Sequence, residues 1–269
     1  MLETFLLNQT ALFVLVLGRI GGLVATAPLL SSPAAPVRVR ALLAVALSML
    51  VAPLYSAPPL VGQAGLPSFA LMIAGEVLIG LLLGLGVTIL LSGVQLTGQI
   101  VAQMSGMALG DVFNPALDNN VSIFTQMFYF VTLAVFVTIG GHRMTLDALI
   151  RTFEWAPPGQ ADLSGSYADA VVVLAGQSFE LGVRASAPIL IALFLSTVIL
   201  GLISRTLPQI NTIVIGFGVN SLLTLGLMFV SLGGVAWTFQ EPLAETLELL
   251  MASVVNAPPS TDLSSALAP

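Results

Sequence analysis

The chain has 269 residues, of which 57% are hydrophobic and only 7% charged, too apolar a balance to hide in one soluble core of this size. A membrane protein or a mostly apolar assembly is expected. All seven basic residues are arginine, the formal charge is -6 and there is no cysteine, which argues against nucleic acid and excludes disulfides, thiolate metal sites and cysteine nucleophiles.

The first ten residues, MLETFLLNQT, carry Glu3 and no basic region, so they read as part of a retained apolar segment and not as a cleaved signal peptide. Six apolar segments follow one another at roughly 4–30, 39–55, 69–92, 123–140, 185–203 and 212–239, against about 20 residues needed to cross hydrocarbon as a helix. They predict an all-α polytopic membrane protein. Proline and glycine clusters separate them: SSPAAP at 31–36, SAPPLVGQAGLP at 56–67 and EWAPPGQADLSGS at 154–166. Residues 1–255 are expected to form a single helical domain, and 256–269, NAPPSTDLSSALAP, a disordered tail.

Two charges lie inside apolar segments, Arg19 in the first and Glu76 in the third. Isolated charges are costly there, so each is a candidate for an ion or proton relay, or the two pair with each other structurally. The third segment continues into a polar stretch, LLSGVQLTGQIVAQMSGMALGDVF. At about 100° per residue, Ser92, Gln95, Gln99, Gln103, Gly106 and Gly110 fall within an arc of about 80°. Glutamine amides in hydrocarbon need partners, so Gln95, Gln99 and Gln103 belong either to an inter-helix seam or to a surface lining an aqueous path. Next comes ALGDVFNPALDNN, where Gly110, Asn114 and Pro115 are expected to break the helix and leave Asp111, Phe113 and Asp118 on a loop. Such a loop sits in solvent or obstructs a water-filled channel.

Between 141 and 184, DALIRTFEW and YADAVVVLAGQSFELGVR show apolar residues at helical spacing, with Glu180 and Arg184 four apart. They predict amphipathic helices at an interface or against protein. Alternating six spans puts Arg38, Arg40 and Arg205 on one side and Arg143, Arg151 and Arg184 on the other, which strains an ordinary positive-inside topology. Near residue 205, SRTLPQIN separates the last two apolar segments. Pro208 is expected to stop the fifth helix, and Ser204 to Asn211 to form a short hairpin tip with Arg205 at a helix C-terminus.

Enzyme chemistry finds no support. His142 is the only histidine, no HExxH, GxSxG or Walker A sequence occurs, and ALGD at 108–111 lacks the glycine and second buried aspartate of an intramembrane aspartyl protease. No cofactor or metal is expected.

Several stretches, in order, carry a resemblance to a known family: RIGGLVATAPLL, GEVLIGLLLG at 75–84, QMSGMALGDVFNP at 103–115, GGHRMTLDALIRTFEWAPPG at 140–159 and SRTLPQINTIVIGF at 204–217. The chain resembles, over nearly its whole length, the FliR/SctT family of type III secretion export-gate subunits. It departs at Gly218 and Asn220, where that family commonly has a proline and then a lysine. The resemblance implies a non-enzymatic subunit of the flagellar export gate in the bacterial inner membrane, at the flagellar basal body. FliP-like and FliQ-like subunits would complete its pore, FlhB-like and FlhA-like components would be neighbours, and unfolded flagellar proteins would pass through. Bent helical hairpins in such assemblies would explain the split arginines. The loop from about 106 to 120 would plug the resting pore, with Leu109 and Phe113 as obstructors and Gly106 and Gly110 giving mobility. Arg205, Pro208, Gln209 and Asn211 would form the cytoplasmic tip of a gate hairpin. The competing readings are a secondary transporter built on Arg19 and Glu76, and the virulence-secretion counterpart of the same gate.

Overall fold

The computed structural model describes residues 2–31, 35–55, 65–106, 123–161, 167–207, 209 and 211–255, and every element among them is helical. In order these are α1 (Leu2–Thr26), α2 (Val37–Val51) with a 3-10 turn at Ala52–Leu54, and α3 (Leu66–Met104). Then come α4 (Ile123–Thr138), α5 (Gly141–Trp155), α6 (Tyr167–Thr206) and α7 (Thr212–Val255). Among the described residues, four helices are long and apolar enough to cross a bilayer, and a fifth span results if α4 and α5 count as one. The break between those two falls at Gly140, whose φ of 79° suits glycine.

Three elements differ from the sequence reading. The amphipathic stretch from Tyr167 and the apolar segment at 185–203 are one continuous helix, α6, which runs through Pro188. In an apolar helix a proline removes one hydrogen bond without forcing a break when the surroundings hold both halves. α7 likewise continues through Pro242. α3 stops at Met104, earlier than the expected break at Gly110, and Gly106 at φ 80° sits beyond its end. Gly106 therefore belongs to the helix terminus and not to the polar helical face, and its N–H donates back to the Gln103 carbonyl.

The chain divides into two compact units, each assembled from separated stretches. The first takes residues 1–88, 140–174 and 243–269. Its centre is the pairing of α1 with α3. On α1, Leu12, Leu15, Val16, Arg19, Ile20 and Leu23 are fully buried, the three-and-four spacing of one helix face. That face meets α3 through glycine. A methyl group at Gly80 would overlap the Arg19 carbonyl, and one at Gly22 would lie 2.6 Å from the Val77 carbonyl oxygen. Such close backbone approach substitutes van der Waals contact for the hydrophobic effect, which is absent between helices in lipid. The Thr88 hydroxyl, donating to the Thr26 carbonyl at 2.7 Å, closes one end of the seam. α2 turns its small residues Ala44 and Ser48 inward, while Leu42, Met49 and Leu50 point outward and exposed, as acyl chains or partner helices require.

The second unit takes residues 89–139 and 175–242. Here the later part of α3 packs on α6 by the same device, with Gly93 against the Ser178 backbone and Gly182 against the Gly93 carbonyl. Hydroxyls bind across this seam: Thr97 donates to the Gly182 carbonyl at 2.9 Å and Ser178 to the Ile89 carbonyl at 2.6 Å. α6 and α7 form a hairpin joined at the Ser196 hydroxyl, which donates to Asn220 Oδ1 at 2.7 Å.

Candidate functional site

Arg19 and Glu76 are paired with each other. The Arg19 Nε donates to Glu76 Oε2 at 2.6 Å, and both side chains are 0% exposed. Each makes further bonds. Arg19 Nη1 reaches the Thr152 hydroxyl at 3.2 Å, Nη2 the Ala156 carbonyl at 2.9 Å, and the guanidinium lies 4.2 Å over the Phe153 ring. The other carboxylate oxygen, Glu76 Oε1, accepts the Gly159 N–H at 2.8 Å. Phe153 also packs on Tyr55, ring centroids 5.4 Å apart. Burial, then the nearby Glu154 carboxylate, push the Tyr55 phenol above its ordinary pKa, opposed by Arg19. The two lone intramembrane charges thus form a closed network with α5 and the turn after it. Among the described residues no other charged side chain is buried, whereas a relay through the membrane would need a chain of them.

The polar face on α3 is present. Gln99 and Gln103 are exposed and Gln95 half-buried, whereas Val94, Thr97 and Val101 on the opposite side are buried. The Gln99 and Gln103 amides are thus turned outward. Of the residues expected to plug a pore, Gly106 ends α3 as described above. Leu109, Gly110, Phe113, Asn114 and Pro115 lie outside the described residues.

At the hairpin tip α6 extends to Thr206, so Ser204 and Arg205 are helical and the connection shortens to 207–211. Arg205 occupies the last turn of α6 and is exposed, where its charge suits the helix C-terminus. Asn211 caps α7: its side-chain oxygen accepts the Val214 N–H at 3.4 Å and its carbonyl the Ile215 N–H at 3.2 Å. Gln209 is exposed, and Pro208 lies outside the described residues. Glu180 and Arg184 form the expected exposed ion pair at 2.8 Å, and Asp147 and Arg151 form another.

Sequence reasoning missed the backbone partners of Arg19 and Glu76, and the glycine contact at Gly93 and Gly182. The residues Ala-Pro-Pro-Gly at 156–159 were a usable signal for the first, because a turn with two prolines has few donors of its own.

Membrane-length helices and glycine-packed seams define a polytopic helical membrane protein. Residues 10–246 match the family model described as bacterial export proteins, family 1, and the chain belongs to that family. It is 27% identical to the flagellar biosynthetic protein FliR of Escherichia coli K12, over 90% of this chain and 91% of that protein. To FliR of Caulobacter vibrioides it is 24% identical, over 90% and 96% of the two chains. The secretion system apparatus protein SsaT of Salmonella typhimurium is also similar, 24% identical over 60% of this chain and 62% of its own.

Proposed function

We propose that the chain is a subunit of the flagellar type III protein export gate. The observation that carries this reading is the match to the FliR proteins of Escherichia coli and Caulobacter vibrioides, which covers 91% and 96% of those chains, where the match to the virulence apparatus protein SsaT covers 62%. On this reading residues 1–255 act as one gate domain with 256–269 as a tail, seated in the inner membrane at the flagellar basal body. FliP-like and FliQ-like subunits complete a pore for unfolded flagellar proteins, and FlhB-like and FlhA-like components stand next to it. The role is structural and needs no cofactor.

Two features support the assignment. Large apolar side chains on α6 and α7, among them Ile191, Phe194, Leu222 and Phe229, are more than 60% exposed, so these helices require lipid or neighbouring subunits. Gln99 and Gln103 are exposed near the end of α3, and the segment proposed as a plug, 106–120, follows them in the sequence. The closed Arg19–Glu76 pair counts against a secondary transporter, since both carboxylate oxygens are already bonded.

Co-expression with and without FliP-like and FliQ-like subunits, followed by native mass measurement, tests the assignment. The chain should accumulate and enter a defined hetero-oligomer only with them. A stable homo-oligomer indifferent to their presence would overturn it.

A further inference from the structure

We infer that Arg19 and Glu76 form a directional clamp on the backbone of the 156–159 turn, and that holding this turn is why two charges lie inside apolar helices.

The turn reads Ala-Pro-Pro-Gly, so only Ala156 and Gly159 carry an N–H. Ala156 N–H donates to the Thr152 carbonyl at 2.9 Å, completing the last turn of α5. Pro157 offers its carbonyl to the Gln160 N–H at 3.0 Å. Two of the remaining groups, the Ala156 carbonyl at one end and the Gly159 N–H at the other, are bonded by side chains of α1 and α3. Arg19 donates to the first and Glu76 accepts from the second. An unmet buried backbone group costs about as much as a lost hydrogen bond, so the turn depends on α1 and α3 for both of its ends.

The chemistry has a direction. A guanidinium has only donors and a carboxylate only acceptors, so each ion fits one end of the turn and is wrong for the other. The planar fork matters as well, because Nε, Nη1 and Nη2 reach three different acceptors while the face of the group rests on Phe153. A lysine carries the same charge but lacks this geometry. Glu76 bonds with both oxygens, one to Arg19 and one to the turn. Arg19 and Glu76 are therefore positioning residues that fix how the chain leaves α5.

The test is amide hydrogen exchange over residues 156–160, together with swimming motility, in the full chain assembled with its partner subunits. Arg19→Lys, Glu76→Gln and the exchanged pair Arg19→Glu/Glu76→Arg should each speed exchange of the Gly159 amide by about tenfold or more and lower motility in step. The exchanged pair decides direction: it can remake the ion pair but not the turn contacts. Native exchange and motility in that double variant would overturn the clamp. So would loss of motility in Glu76→Gln with unchanged exchange, which would make the carboxylate a proton carrier. Should the charge variants fail to accumulate, Thr152→Val removes a single contact to Arg19. It should raise exchange about threefold, and unchanged exchange in this variant would also overturn the inference.

Discussion

Gly93 of α3 and Gly182 of α6 face each other so closely that a methyl group on Gly182 would overlap the Gly93 carbonyl, and one on Gly93 the Ser178 backbone. Neither obstacle is the movable end of a side chain. Gly182→Ala is therefore expected to push the helices apart, at a cost of about 1–3 kcal/mol. The Thr97 and Ser178 hydroxyl bonds across the seam should weaken with it. Gly176 on the same helix, with nothing within 4 Å of its would-be Cβ, is the control. Thermal unfolding of the detergent-solubilised complex should show a lowered midpoint for Gly182→Ala and little change for Gly176→Ala.

Gln99 and Gln103 are exposed on a helix whose opposite side is buried. If they line the export path, Gln99→Leu/Gln103→Leu should leave the hetero-oligomer intact while export of flagellar proteins to the medium falls severalfold. Loss of the assembled complex would make the row inter-subunit glue, the role amides often have between membrane helices. Assembly and secretion measured on the same culture separate the two.

The proposed plug yields an electrical prediction. Deleting about half of the 107–120 segment in an assembled complex should let small ions leak, seen as raised single-channel conductance in a planar bilayer. Gly106→Val tests the hinge separately: its φ of 80° is unfavourable for a β-branched residue, so the end of α3 should be strained by about 1–2 kcal/mol. Conductance at the level of the intact chain in the shortened variant would remove the plug from this segment.

Much of this architecture was legible in the sequence because apolar runs and helical periodicity survive without knowledge of neighbours. The pairing of Arg19 with Glu76 was legible too, as the economical fate of two lone charges. The continuity of α6 through Pro188 was not, because proline is a breaker in water but tolerated where packing holds both halves of an apolar helix. The same limit hid the turn clamp and the Gly93–Gly182 contact. Backbone acceptors have no side-chain signature, and glycine in an apolar helix reads the same whether it faces lipid or another backbone. In GEVLIGLLLG at 75–84, Gly80 and Gly84 both lie against α1.

At the hairpin tip, Arg205 is exposed in the last turn of α6, while Asn211 caps α7 through its side chain. The two should separate by readout. Asn211→Ala removes a cap and is expected to cost about 1 kcal/mol of hairpin stability. Arg205→Ala should lower secretion more than assembly, since an exposed arginine at a helix end gives only a few tenths of a kcal/mol. Equal losses of assembly and secretion in Arg205→Ala would reduce it to a helix-end charge.

Asn220 stands where the family commonly has a lysine, and its side chain is buried, accepting from the Ser196 hydroxyl across the α6–α7 hairpin. A lysine introduced at this place would bring an ammonium group to a site that now supplies one neutral hydroxyl partner, and lysine has no acceptor to receive that hydroxyl's proton. Asn220→Lys is therefore expected to destabilise the hairpin by about 2–3 kcal/mol unless the charge reaches the surface along its stem. Ser196→Ala should cost less, about 1 kcal/mol, because it leaves one amide acceptor unmet and introduces no charge. In a double-mutant cycle, Ser196→Ala/Asn220→Ala should cost less than the sum of the singles by about 0.5–1 kcal/mol. Strict additivity in thermal unfolding would mean that the 2.7 Å bond contributes nothing to the hairpin, and that Asn220 is tolerated there only for its size.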